Sequence, residues 1–213
     1  MSYQGVIFDL DGVICHTDSF HYQAWKALAD RMGIYFDEEI NNRLRGVSRM
    51  ESLEIMLERY NGPLLSDEEK IKLADEKNEI YTSLLVKMDK SYLSESVMDT
   101  LQKLRDGGVK LAIGSSSKNA RLILKQIGLS NFFDAISDGN NIQRSKPDPQ
   151  VFNLAAEYIS LPATNCLVVE DARAGIEAAI AGSFDSAGIG DAANDKRATY
   201  SIQEFSELLS IVL

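Results

Sequence analysis

One stretch limits what this chain can fold into more than any other: Gln4-Gly5-Val6-Ile7-Phe8-Asp9-Leu10-Asp11-Gly12-Val13. The run Val6-Ile7-Phe8 is β-branched and aromatic, which suits a strand buried on both faces of a parallel sheet. Asp9 and Asp11 fall where the chain leaves that strand, and in open α/β sheets ligands bind beyond the carboxyl ends of the strands. Gly12 admits a sharp turn. Two carboxylates this close repel each other, so both stay ionised only beside a cation; otherwise one keeps a proton. Asp9 can serve as a nucleophile that accepts a phosphoryl group. Asp11 can trade a proton with the attacking or leaving oxygen. The bland alternative is a strand ending in a turn capped by aspartates.

The motif F-D-L-D-G-V resembles the first motif of the haloacid dehalogenase superfamily of phosphatases and phosphomutases, and the rest of the chain tests that resemblance. Its 213 residues suffice for one sizeable core with a smaller unit attached. The formal net charge of −10 disfavours non-specific binding to nucleic acid or anionic membranes. An anionic substrate would need positive charge concentrated locally. Cys15 and Cys166, the two cysteines, lie far apart with no CxxC pair, so neither a zinc site nor a disulfide is expected. The N-terminal stretch does not read as a signal peptide, and no apolar run approaches the roughly 18 residues of a membrane span. A cytoplasmic protein is expected.

Helical periodicity covers residues 17–33, where Phe20, Ala24, Leu28 and Met32 recur at fourfold spacing. Further helices are expected over residues 37–44, 48–60 and 67–88, the third of these four opened by a Ser48…Glu51 capping box and the fourth capped by Ser66. From residue 94 helices and strands alternate. Helices are expected over 97–105, 119–127, 149–159, 174–181 and 202–209, and strands over 109–113, 133–136, 166–169 and 186–189. The polar stretch after Gly190 offers no clear final edge strand. The pattern predicts an α/β fold: a doubly wound parallel sheet with an inserted all-helical cap domain. The core domain is expected at 1–16 and 88–213, the cap at 17–87.

Polar groups mark the other strand ends. Glu170 and Asp171 follow the strand Cys166-Leu167-Val168-Val169 and add two acids to the first pair. Four clustered acids call for a hard cation, and oxygen-only ligation points to Mg²⁺ rather than zinc. Gly114-Ser115-Ser116-Ser117-Lys118-Asn119 opens a helix and can bind an anion through backbone N–H groups and hydroxyls. Lys146, before Pro147, can neutralise an aspartyl-phosphate.

Acid pair, Ser-rich strand end, Lys and acid pair follow one another in the order of the superfamily, over the whole chain. The resemblance implies that Asp9 is the nucleophile and Asp11 the general acid/base, with Ser115 and Lys146 contacting phosphate. It also implies that Asp9, the Asp11 carbonyl, Glu170 and Asp171 hold Mg²⁺. Within the superfamily, several features look like the β-phosphoglucomutase family: Thr17, His21 and Trp25 on one helix face, Arg45-Gly46-Val47-Ser48-Arg49, Ser52, Lys77-Asn78, and in the core S-S-S-K-N, S-K-P-D-P and E-D-A-R-A-G. Thr17, His21, Trp25, Gly46, Val47, Ser48, Arg49, Ser52 and Lys77 are then candidate substrate contacts. Arg49 supplies a bidentate fork for a second, distal phosphate, and Ser117, Lys118 and Asn119 are similar to that family's remaining distal contacts. Taken singly, His21 and Trp25 read as packing residues and Arg49 as a solvated one. Cys15 and His16 stand where that family often has Thr-Asp, and Arg45 where lysine is also usual. The resemblance implies an enzyme that interconverts β-glucose 1-phosphate and glucose 6-phosphate, with a Mg²⁺-dependent sugar-phosphate phosphatase as the alternative; a monomer acting on a small hexose phosphate is expected.

Overall fold

The computed structural model describes residues 3–213, so the first two residues of the expected core segment lie outside it. Strand β1 (Gly5–Phe8) leads through four helices, α1 (Asp18–Arg31), α2 (Glu38–Asn42), α3 (Arg49–Leu57) and α4 (Asp67–Leu85). Then come α5 (Glu95–Asp106), β2 (Lys110–Gly114), α6 (Ala120–Gln126), β3 (Ala135–Ser137) and α7 (Gln150–Tyr158). The chain closes with β4 (Cys166–Glu170), α8 (Arg173–Ala181), β5 (Asp185–Gly188), β6 (Tyr200–Ser201) and α9 (Leu208–Val212).

All six strands are parallel, in the order β3-β2-β1-β4-β5-β6. Side chains alternate across the sheet. Val6 and Phe8 enter one apolar cluster with Leu101, Leu104, Ile123 and Leu208. Ile7, between them, enters another with Val151, Phe152, Ala155 and Ala178. With both faces covered by helices, the central strands can be apolar throughout, as the sequence of β1 is. The order reverses beside β1, which places the switch point between β1 and β4. Phe8 pairs with Ile113 and with Val169, so Asp9, Gly114 and Glu170, next along, stand side by side at the carboxyl edge.

Helices α1–α4 stand over this edge. They own a third cluster, centred on Trp25, Leu28, Phe36, Leu53 and Met56, while Phe20, Ala24, Tyr81 and Leu85 at the roots of α1 and α4 belong to the main core. Ser48 with Glu51 and Ser66 with Glu69 form reciprocal capping boxes that start α3 and α4.

The chain's end differs from the sequence expectation. A final edge strand does form: β6, two residues long, parallel to β5. Tyr3 packs edge-on against Tyr200 of this strand. The helix expected over 202–209 begins later. Ile202 is still extended, its N–H donating to Gly188 O, and Glu204 with Glu207 caps a short 3₁₀ turn before α9. Cys15 and Cys166 are buried free thiols. No helix among the described residues is long and apolar enough to cross a membrane.

Candidate active site

A cavity of about 700 Å³ lies between the carboxyl edge of the sheet and helices α1, α3 and α4. At its floor, Asp9, Glu170 and Asp171 each offer a carboxylate oxygen within 4.8 Å of the others, all three residues buried. Lys146 (1% exposed) is the counter-charge: its Nζ donates to Asp9 Oδ1 at 2.5 Å and to Glu170 Oε1. The other Glu170 oxygen accepts from the Asp171 and Ala172 N–H groups, both at 3.0 Å. Burial raises the Asp9 carboxyl well above its ordinary value, Lys146 opposing and Glu170 and Asp171 adding to the rise. Burial and Glu170 likewise push Asp171 to about 7. For Lys146, burial works against the charged form, but Asp9 and Glu170 outweigh it and the pKa ends above the ordinary lysine value. Three carboxylates against one lysine, all donors oxygen, fit a hard divalent cation. Gly12 permits this crowding: its φ is +83°, and a Cβ there would stand 2.0 Å from Asp171 Oδ2.

Asp11 lines the cavity beside this group. Thr17 does not meet the cavity as expected of a substrate contact. It is fully buried, donates its hydroxyl to Asp11 Oδ1, and accepts from Tyr81 Oη at 3.2 Å. Burial lifts Asp11 to about 6, the Thr17 bond pulling the other way.

His21 and Trp25 do reach the cavity, and so does Lys77 from α4. Lys77 Nζ lies 3.0 Å from His21 Nδ1, 4.8 Å from the Trp25 ring centroid and 4.5 Å from that of Tyr81. Buried and facing Arg49, it falls to about 7. The His21 imidazole, buried and next to Lys77, falls well below its usual value. An ammonium only donates, so a charged Lys77 makes Nδ1 the acceptor and leaves the imidazole proton on Nε2.

At the far end, Gly46, Val47, Ser48, Arg49 and Ser52 line the wall at the start of α3. Arg49 is a quarter exposed, with its Nη1 3.6 Å from Asp75. The turn after β2 lines the same cavity with Ser115, Ser117, Lys118 and Asn119. Hydroxyl-to-backbone bonds fold this turn: Ser117 N–H to Ser115 Oγ at 3.2 Å, and Asn119 N–H to Ser117 Oγ at 3.1 Å. The cavity thus gathers the expected residues, except that Thr17 stands behind Asp11, and Lys146 and Glu170 form the floor beneath.

Sequence reasoning passed over two contacts between the helical block and the sheet. Arg45 bonds Asp171 through Nη2 and Asp191 through Nη1 at 2.7 Å. Asn119 Nδ2 donates to Asn78 Oδ1 at 2.9 Å. Arg45 and Asn78 both stood inside stretches noted for their resemblance, but the partner of Arg45 is 126 positions away and no local pattern announces it.

Residues 3–182 match the family model of haloacid dehalogenase-like hydrolases. The β-phosphoglucomutase of Bacillus subtilis is 37% identical over 189 residues, 88% of this chain and 83% of that protein. The fructose-1-phosphate phosphatase of Escherichia coli is 30% identical over 184 residues, 86% of this chain and 95% of that protein. A crystal structure of β-phosphoglucomutase from Clostridium difficile superposes with a TM-score of 0.90 at 36% identity, covering 97% of this chain and 93% of that one. With this coverage behind an acid-floored cavity at the switch point of its parallel sheet, the chain belongs to the haloacid dehalogenase-like hydrolase family.

Proposed function

We propose that the protein is a β-phosphoglucomutase, interconverting β-D-glucose 1-phosphate and glucose 6-phosphate through an Asp9 phosphoenzyme and β-glucose 1,6-bisphosphate. What supports this reading is that one cavity is lined by residues suited to two anions, Ser115 with Asp9 over Lys146, and Arg49, Ser117, Lys118 and Asn119. A phosphatase needs only the first. The β-phosphoglucomutase relatives favour the same reading.

Mg²⁺, held by Asp9, the Asp11 carbonyl, Glu170 and Asp171, would offset charge on the transferring phosphoryl group. The distal set grips the sugar's 1-phosphate, with Gly46, Val47, Ser48 and Ser52 shaping the wall and His21, Trp25 and Lys77 the roof. The 6-hydroxyl oxygen attacks phosphorus as the bond to Asp9 breaks, and Asp11 takes the hydroxyl proton. The bisphosphate turns over in the site. Asp9 then attacks the 1-phosphate, the bond from phosphorus to O1 breaks, Asp11 returns its proton to O1, and glucose 6-phosphate leaves. Tyr81 and Thr17 tie helix α4 to the Asp11 carboxylate, so closure of the helical block and the proton state of Asp11 are linked. Residues 17–87 act as the cap that excludes water from the phospho-aspartate, over a core of 1–16 and 88–213. We assign the enzyme to the cytoplasm as a monomer.

The test is ³¹P NMR of purified protein with Mg²⁺, β-glucose 1-phosphate and a trace of bisphosphate primer. Conversion to glucose 6-phosphate with little free phosphate is the expected result, and Asp9→Asn abolishes it; turnover by that variant would sink the scheme. The 30% identity to a sugar-phosphate phosphatase supports a second reading, for which free phosphate as the main product would be the sign.

A further inference from the structure

The loop after β3 braces the turn after β2. Asp138 is 1% exposed, and its Oδ1 accepts from the Asn140 backbone N–H at 2.8 Å and from Asn140 Nδ2 at 3.0 Å. Asn141 Oδ1 accepts from the Asp138 N–H at 3.0 Å. On the other side Arg121 Nε stands 3.3 Å from Asp138 Oδ2, and Arg121 belongs to α6, the helix that the β2 turn opens. Folded on itself in this way, the loop reaches across. Gly139 N–H donates to Ser117 O at 3.2 Å. Asn140 Nδ2, besides its bond to Asp138, donates to Lys118 O at 3.0 Å. The approach is so close that a Cβ on Gly139 would stand 2.4 Å from Ser116 O and 2.8 Å from Lys118 N. Both are backbone atoms, so relief requires the turn itself to move.

We infer that Gly139 and Asn140 are positioning residues for the distal phosphate: they set where the backbone of residues 116–118 lies, and with it the groups of Ser117, Lys118 and Asn119. This rests on the reading that those three residues meet the distal phosphate. Neither Gly139 nor Asn140 belongs to the chemistry at Asp9. The Ser117 N–H also bonds Ser115 Oγ at the Asp9 end, so displacing the turn weakens the grip on the distal phosphate more than it slows phosphoryl transfer to Asp9.

The experiment compares two reactions of the full-length wild type, Asn140→Ala, Asn140→Asp and Gly139→Ala with Mg²⁺. One is isomerisation of β-glucose 1-phosphate, which uses both ends of the cavity. The other is phosphorylation of Asp9 by acetyl phosphate, which uses only the Asp9 end. Asn140→Ala raises KM for β-glucose 1-phosphate about fivefold, the worth of one net hydrogen bond. Asn140→Asp has the same shape but sets a carboxylate oxygen against Asp138 Oδ1 and Lys118 O, and raises KM further than Asn140→Ala does. Gly139→Ala loses on the order of 10²-fold in kcat/KM, the scale of a displaced binding group. In all three the acetyl phosphate rate falls by a clearly smaller factor than isomerisation does. An unchanged KM in every variant overturns the inference, as does an equal fall in both reactions, which would mean a merely structural loop. A wild type that does not isomerise sinks the mutase reading instead. The inference is then decided by calorimetric affinity for β-glucose 1,6-bisphosphate, which must weaken in the variants by similar factors or the inference fails.

Discussion

Lys146→Met tests the electrostatic account of the floor. Methionine keeps most of the apolar stem that lies near Phe152, whose ring centroid is 4.7 Å from Nζ, and removes only the ammonium. What remains is Asp9, Glu170 and Asp171, buried, with ligand oxygens within 4.8 Å of one another. Two of them lose a direct partner, Asp9 at 2.5 Å and Glu170. Removing one member of a buried ion pair costs about 3–5 kcal/mol. For a chain of this size each kcal/mol lowers Tm by about 2–4 °C, giving a drop of roughly 6–20 °C. The assay is thermal unfolding in EDTA and again with saturating Mg²⁺. The drop is largest in EDTA near pH 8. It shrinks as the pH falls and the carboxylates take up protons, and it shrinks when Mg²⁺ replaces the lost charge. Activity falls on the order of 10²–10³-fold, because a preorganised cation facing the transferring phosphoryl group is gone. Wild-type stability in EDTA near pH 8 would refute the reasoning: the three acids would then be sharing protons, with no need of the lysine.

Two further outcomes follow from the same geometry. Asp11 sits at about 6, and it must be ionised to take the hydroxyl proton, so discharge of phospho-Asp9 to β-glucose 1-phosphate speeds up as pH rises through about 6. Because the folded pKa lies above the ordinary 3.8, its contribution to stability is full below about 4 and is lost as pH rises through about 6; Asp11→Asn removes both dependences, visible in rapid-quench kinetics and in urea midpoints across pH. Arg49→Ala raises KM for β-glucose 1-phosphate by about 10–150-fold, the worth of a charge-assisted contact of 1.5–3 kcal/mol, with Asp9 phosphorylation by acetyl phosphate unaffected, and Arg49→Lys recovers little because the fork is lost.

The parts of the fold that were readable from the sequence are those whose cause is local. β1 and β4 announce themselves because a strand covered on both faces must be apolar throughout, and Val6–Phe8 and Cys166–Val169 are. The starts of α3 and α4 are written in Ser48…Glu51 and Ser66…Glu69, bonds that close within four residues. The acids and Lys146 are readable for a related reason. A parallel sheet brings its carboxyl ends to one edge, so residues at strand ends can be placed together without knowing their contacts. Where the cause is a distant partner, the sequence is silent. β6 exists because β5 offers it an edge, and Arg45 finds Asp171 and Asp191 only once the helical block lies on the sheet. Thr17 shares a helix face with His21 and Trp25 by spacing, yet being nearer the root of α1 it is buried against Asp11 and Tyr81.

The charges of the cavity bear on why a protein of net charge −10 can take an anionic substrate. Arg45, Arg49, Lys77 and Lys118 line it, against Asp9, Asp11, Asp18, Asp75 and Asp171, with Lys146 and Glu170 forming the floor. By formal charge the lining is slightly negative, and Lys77, at about 7, is not a full cation at neutral pH. Asp9, Asp11 and Asp171 are raised in turn, the last two to about 6 and about 7, so the acids are softened too and a phosphate dianion is held where the cations concentrate. Arg49 and Lys118 both line the cavity, and Asp75, 3.6 Å from Arg49, is two-thirds exposed to water. At the floor the acids outnumber Lys146, and a phosphate can settle there only with a divalent cation beside it. The turnover of a bisphosphate requires each phosphate to be accepted at either end in turn. A floor that would need the metal to accept phosphate, in one cavity with an arginine and a lysine that would not, would order the events. The sugar phosphate would then be held by Arg49 and Lys118 first, and its hydroxyl would face phospho-Asp9 productively once Asp9, Glu170 and Asp171 hold the cation. Metal removal should therefore abolish turnover while leaving weak binding of β-glucose 1-phosphate measurable by calorimetry, and loss of both together would contradict this order.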